Sequence, residues 1–170
     1  MSNTSIASLG AGLILAAAAT TGVLAAGKTF SVTEKVELSA APDKAWDTIK
    51  DFKGWQAWHP AFAGTVITRG EGNSKGSVRE LTTKDGAKFI EELVMRDAAS
   101  RTYQYRIIES PLPITGYVST LEVKPGHNGG STVVWSSHFG VKAGASDDEM
   151  KKTIAGVYRA GLDNLAAATK

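Results

Sequence analysis

The chain has no cysteine among its 170 residues. That absence excludes disulfides, thiolate nucleophiles and every Cys-containing metal site. A surplus of charge of one sign is also lacking. Nineteen Lys and Arg stand against 17 Asp and Glu, a net +2. This is too little for the basic footprint of a nucleic-acid or anionic-membrane binder. The three histidines are scattered, with no H-x-x-x-H pair, so the sequence supplies no metal-ligand set. G-x-S-x-G, P-loop and G-x-G-x-x-G motifs are missing, and Gly70, Gly72 and Gly76 have the wrong spacing to replace them. Nucleophilic catalysis and nucleotide binding are unsupported, and nothing calls for a cofactor. What is present is 42% hydrophobic and 21% charged residues, the composition of an ordinary globular chain long enough for one domain.

No charged side chain occurs before Lys28. Leu9 to Ala26 is apolar or small and ends Val23-Leu24-Ala25-Ala26, the build of a secretory signal cleaved after Ala25 or Ala26. The expectation is a cleaved signal over residues 1–26, a single domain over 27–170, a periplasmic location and no membrane span in the mature protein. The alternative is an uncleaved anchor, although 18 residues fall short of the ~20 that a bilayer asks for.

The mature chain reads as one strand, two short helices, about six strands and a long helix. From Lys28 to Leu38, Phe30, Val32, Glu34, Val36 and Leu38 alternate with polar residues, as in a half-buried strand. Pro42 opens a helix whose apolar stripe is Ala45, Trp46, Ile49 and Phe52, ending at Lys53-Gly54. A second short turn carries Trp55 to Trp58 and stops at His59-Pro60, because a residue before proline avoids helical angles. Strands separated by Gly-rich and charged turns follow, Lys84-Asp85-Gly86 being a tight hairpin turn. Ser146 with Glu149 caps a final helix over 147–168, whose stripe runs through Met150, Ile154, Val157, Tyr158, Gly161, Leu162, Leu165 and Ala168. The class is α+β: an antiparallel meander of about seven strands and one long helix to cover it.

This order, with Pro42-Asp43-Lys44-Ala45-Trp46, Trp55-Gln56-Ala57-Trp58-His59-Pro60 and Gly129-Gly130-Ser131-Thr132-Val133-Val134-Trp135, resembles the polyketide cyclase/dehydrase-like (SRPBCC, START-like) superfamily. The resemblance implies the helix-grip (Bet v 1-like) fold, a curved sheet wrapped around the C-terminal helix with a cavity between them. Together with the export segment it is similar to the periplasmic MxaD-type accessory proteins of bacterial methanol oxidation. That implies methanol dehydrogenase and its cytochrome c as partners.

Strand parity then selects the inward face. Tyr103, Tyr105, Tyr117, Trp135 and Phe139 point inward, Tyr158 comes from the helix, and Trp55, Trp58, His59 and Phe62 join them at the cavity mouth. Such walls suit a hydrophobic small molecule carrying one or two polar groups. The same residues also serve as a filled core, and parity does not separate the two. His59 is either a proton-transfer group or a histidine fixing a backbone carbonyl. Glu80, across the hairpin from Glu91, is either an inward acid in the cavity or an exposed partner of Arg79 or Lys88. No catalytic residue is assigned. The expectation is a non-enzymatic accessory protein, with a hydrophobic-molecule or lipid carrier and a cyclase/dehydratase-like enzyme as alternatives.

Overall fold

The computed structural model describes residues 27–169. The expected signal segment, residues 1–26, lies outside them. The described chain folds into β1 (Thr29–Leu38), α1 (Pro42–Ile49), a 3-10 turn (Trp55–Ala57), β2 (Phe62–Arg69), β3 (Val78–Thr83), β4 (Lys88–Asp97), β5 (Thr102–Glu109), β6 (Ile114–Pro125), β7 (Ser131–Val141) and α2 (Asp147–Ala168). The strands form one curved antiparallel sheet in the order β1-β7-β6-β5-β4-β3-β2. The meander puts each strand of β2 to β7 beside its sequence neighbour, and β1 closes against β7.

α1 ends sooner than its apolar stripe suggests. It closes at Lys50, whose amide donates to the Trp46 carbonyl, and Phe52 enters the core from the following turn. The reason lies in its backbone. The Phe52 amide donates to Asn73 Oδ1 (2.9 Å), and its carbonyl accepts from Arg79 Nη1 (2.6 Å). Both groups are committed to tertiary partners, so the helix does not continue through them.

α2 lies across the concave face, chiefly against β1, with Ile154, Tyr158, Gly161, Leu162 and Leu165 buried. Ser146 Oγ accepts the Glu149 amide at its start (3.3 Å). Three polar tethers fix its height: Arg159 Nη2 donates to the Lys35 carbonyl (2.8 Å), Asn164 Nδ2 to the Trp58 carbonyl (2.8 Å), and His59 Nε2 to the Val157 carbonyl (3.0 Å). Gly161 makes the last approach possible. A Cβ there would stand 2.5 Å from His59 Cδ2 and 3.0 Å from Trp135 Cζ3. Gly161→Ala gains helix propensity, worth about 1 kcal/mol, but overpacks a rigid contact at about 1–3 kcal/mol. We expect a net loss measurable by urea unfolding, larger for Gly161→Val. An unchanged midpoint for the valine variant would contradict this packing.

Candidate functional site

The interior between sheet and α2 is built from aromatic rings. Trp135 on β7 stacks on Tyr158 of α2, with ring centroids 4.2 Å apart and planes 12° from parallel. Trp55 meets both Trp135 and Tyr105 edge-on, at 5.2 and 5.4 Å. The polar atoms of these rings are bonded to one another. Trp55 Nε1 donates to Tyr103 Oη (3.0 Å), while Trp135 Nε1 is shared between Tyr105 Oη (3.1 Å) and Ser119 Oγ (3.0 Å). The hydroxyls of Tyr117 and Tyr158 bond to each other, and Ser119 Oγ lies 3.2 Å from Tyr158 Oη. Burial holds all four tyrosines well above their ordinary pKa. They are neutral hydroxyls at physiological pH.

A cavity of about 80 Å³ remains among these rings. Trp55, Phe62, Tyr105, Tyr117, Trp135 and Tyr158 line it. Tyr103, Trp58, His59 and Phe139 are buried beside it without lining it. The interior is therefore mostly filled, and the space compares with two or three waters at about 30 Å³ each. The segment expected at the mouth is not there. Trp55 and Trp58 are 1% and 2% exposed and His59 1%, because the 3-10 turn drives its rings inward onto Trp135. The half-buried rim is instead made by Phe89, Ile107, Leu112 and Val157.

Glu80 is the second correction. It pairs with Ile90 across the β3–β4 hairpin, faces outward and binds Lys88 Nζ (2.7 Å). The inward pair is Arg79 with Glu91. The hairpin explains this. Gly86, at φ +89°, makes the turn, and the Thr83 amide bonds the Ala87 carbonyl (2.9 Å), which puts Arg79 opposite Glu91 and places Glu80 and Glu91 on opposite faces.

Arg79 is fully buried and Glu91 4% exposed. Arg79 Nε and Nη2 both donate to Glu91 Oε2, at 2.8 and 2.6 Å. The guanidinium lies between the rings of Phe52 and Trp55, 3.9 and 3.8 Å from their centroids. Glu91 lines the cavity, and burial raises its pKa against the lowering pull of Arg79. The strand spacing Arg79-x-Leu81-x-Thr83 carried this signal, but a charge on an apolar face is hidden by the usual rule that charges face water.

His59 does backbone work. The Ala61 amide donates to Nδ1 (3.2 Å), so Nε2 carries the proton that bonds Val157. Desolvation lowers its pKa from 6.5 to about 4 despite the Val157 bond. A folded state that resists protonation loses stability as pH falls, beginning near 6.5 and ending near 4. The loss from this site is about 3 kcal/mol at ~1.4 kcal/mol per pKa unit. Chemical denaturation at pH 7 and pH 4 is expected to show this loss in the wild type and a smaller one in His59→Gln. Equal losses would count against it. His138 bonds Ser31 on the outer face and His127 is exposed. Among the described residues no group of three His, Cys, Asp or Glu could hold a metal ion.

A curved antiparallel sheet gripping its C-terminal helix over an aromatic interior defines the helix-grip class of ligand-binding folds. The family described as "Polyketide cyclase / dehydrase and lipid transport" matches residues 29–170, and the chain belongs to it. Among solved structures it is similar to the protein XoxI from Bacillus cereus, 33% identical over 82% of this chain and 94% of that one, with a TM-score of 0.76. A protein from Nitrosospira multiformis is 26% identical over 82% and 96% of the two chains, TM-score 0.72. One from Thermobifida fusca is 28% identical over 80% and 90%, TM-score 0.72.

Proposed function

We propose that the protein is a non-enzymatic member of this family, exported to the periplasm, that holds a small ligand in its aromatic interior and serves as an accessory factor in methanol oxidation. The observation that carries the non-enzymatic reading is how the interior polar groups are engaged. Both nitrogens of His59 are taken by backbone, the tyrosine hydroxyls bond one another or indoles, and Arg79 holds Glu91. Among the described residues, His59 and the interior tyrosines keep no free position for proton transfer, and Glu91 is held as the partner of Arg79 through Oε2. A lipid-sized cargo would need several times the volume present, since pockets for such ligands run to roughly 300–1,000 Å³.

The accessory reading rests on the charge-free leader and the resemblance to MxaD-type proteins. Its contact surface lies outside the buried Trp55–Phe62 segment. Ile108 is 52% exposed and Val66 62%, both on the outer face of the sheet, and Pro111 is exposed in the nearby loop. The test is a pull-down from the periplasm of methanol-grown cells that encode this chain, with the mature protein as bait. Recovery of methanol dehydrogenase or its cytochrome c, weakened by Ile108→Asp, is the expected result. Recovery of neither removes the accessory role. Detection of the chain in the cytoplasm with residues 1–26 intact removes the export.

A further inference from the structure

The buried ion pair has a lopsided geometry. Both Arg79 bonds end on Glu91 Oε2, and no hydrogen bond among the described residues reaches Oε1. Glu91 is nonetheless a wall of the cavity, and the tyrosine hydroxyls around it are already bonded to one another or to an indole. Oε1 is thus the strongest acceptor left facing an otherwise apolar space. Oε1 opens onto this space rather than being sealed in the core, and a ligand lying there meets an acceptor that favours a donor.

We infer that the cavity is a site for a short-chain alcohol, whose hydroxyl donates to Glu91 Oε1 while its carbons lie against Ile107, Leu112 and Tyr117. This deepens, and rests on, the reading of the protein as a small-ligand binder. Three features select the class. The volume, about 80 Å³, is roughly half that of an engineered cavity known to take benzene, so it admits about three or four non-hydrogen atoms. The charges of Arg79 and Glu91 cancel, so no net charge invites an ion. An anion would face Oε1 directly, and a cation would surrender its hydration beside a guanidinium. A neutral donor with a compact apolar body satisfies all three. Each methylene the space accepts tightens binding about fourfold, until the cavity is full.

The probes are 2-propanol, acetone, isopropylammonium and acetate, which share a four-atom branched shape and differ in donor, acceptor and charge. The full mature protein is titrated while the indole N–H signals of Trp55 and Trp135 are followed by NMR, both residues being cavity walls. 2-Propanol is expected to shift them saturably, at least tenfold more tightly than the other three. In Glu91→Gln the amide must turn its oxygen to Arg79, leaving its NH2 toward the cavity. The preference is then expected to invert toward acetone. Equal binding of 2-propanol and acetone to the wild type overturns the inference and leaves the binding reading standing. If none of the four moves either signal, both fall together. If Glu91→Gln fails to fold, the wild-type contrast decides alone.

Discussion

Arg79→Met is expected to cost about 3–5 kcal/mol at pH 8, the penalty for leaving a buried charge without its partner. The variant keeps most of the volume that fills the space between Phe52 and Trp55, so packing changes little. What is lost is the pair of bonds to Glu91 and the bond to the Phe52 carbonyl. Glu91 then keeps its burial and loses both influences that lowered its pKa. The sign follows from linkage. A carboxyl whose folded pKa is raised contributes stability that is present at low pH and disappears as pH rises through that pKa. The Arg79→Met defect therefore shrinks in acid. The same substitution removes a positive charge that lowers the pKa of His59, which also favours the variant in acid relative to wild type. Denaturant unfolding of both proteins at pH 8 and pH 5 checks this, with a smaller difference expected at pH 5. The double variant Arg79→Met with Glu91→Leu removes both charges together and is expected to recover most of the loss. A double variant as weak as the single one would show that the pair contributes through shape alone.

This pair also marks where the sequence stops being readable. The periodicities that set α2 and the inward faces of β5 and β7 are regular, and Tyr103, Tyr105, Trp135 and Phe139 are buried as parity requires. Failures occur where one residue shifts the count or where a polar group is buried. In β6, Ile114 and Tyr117 are three apart yet both buried, because a bulge at Thr115 to Val118 contains Gly116 at φ +58°. A strict period of two cannot place both. In β3 the inward residue is an arginine, whose burial makes sense only once the Glu91 carboxylate and two aromatic faces are known to surround it. For Glu80 the sequence allows an inward acid or an exposed partner of Lys88, and the register that the Asp85-Gly86 turn imposes selects the second. The Trp55–Phe62 segment was legible as aromatic but not as buried. Its direction depends on α2, more than ninety residues away, whose Val157 and Asn164 hold His59 and Trp58. Local pattern identifies which rings are apolar assets, whereas long-range hydrogen bonds decide which way they face.

Trp135→Ala is expected to be the most damaging single truncation, at about 4–5 kcal/mol, the upper end for a large aromatic in a core. Trp135 is 1% exposed and touches many of the groups that shape the interior: Tyr158 by stacking, Trp55, Trp58 and His59 through their rings, and Tyr105 and Ser119 through its indole N–H. Its removal opens one side of the contact at Gly161 of α2, where a Cβ would meet His59 first and Trp135 next. Against a typical total of about 5–15 kcal/mol, such a loss brings the domain near its unfolding threshold. Trp135→Phe keeps a ring against Tyr158 but strips the donor from Tyr105 and Ser119. Those oxygens can still bond one another's neighbours, so about 1–3 kcal/mol is expected instead. The two variants also separate core from site. The indole-sized space in Trp135→Ala adjoins the existing cavity, so added indole is expected to raise its melting temperature while leaving the wild type unchanged. If indole stabilises neither protein, the interior collapses around the missing ring, and the cavity is a packing remnant without the stiffness that a binding site needs.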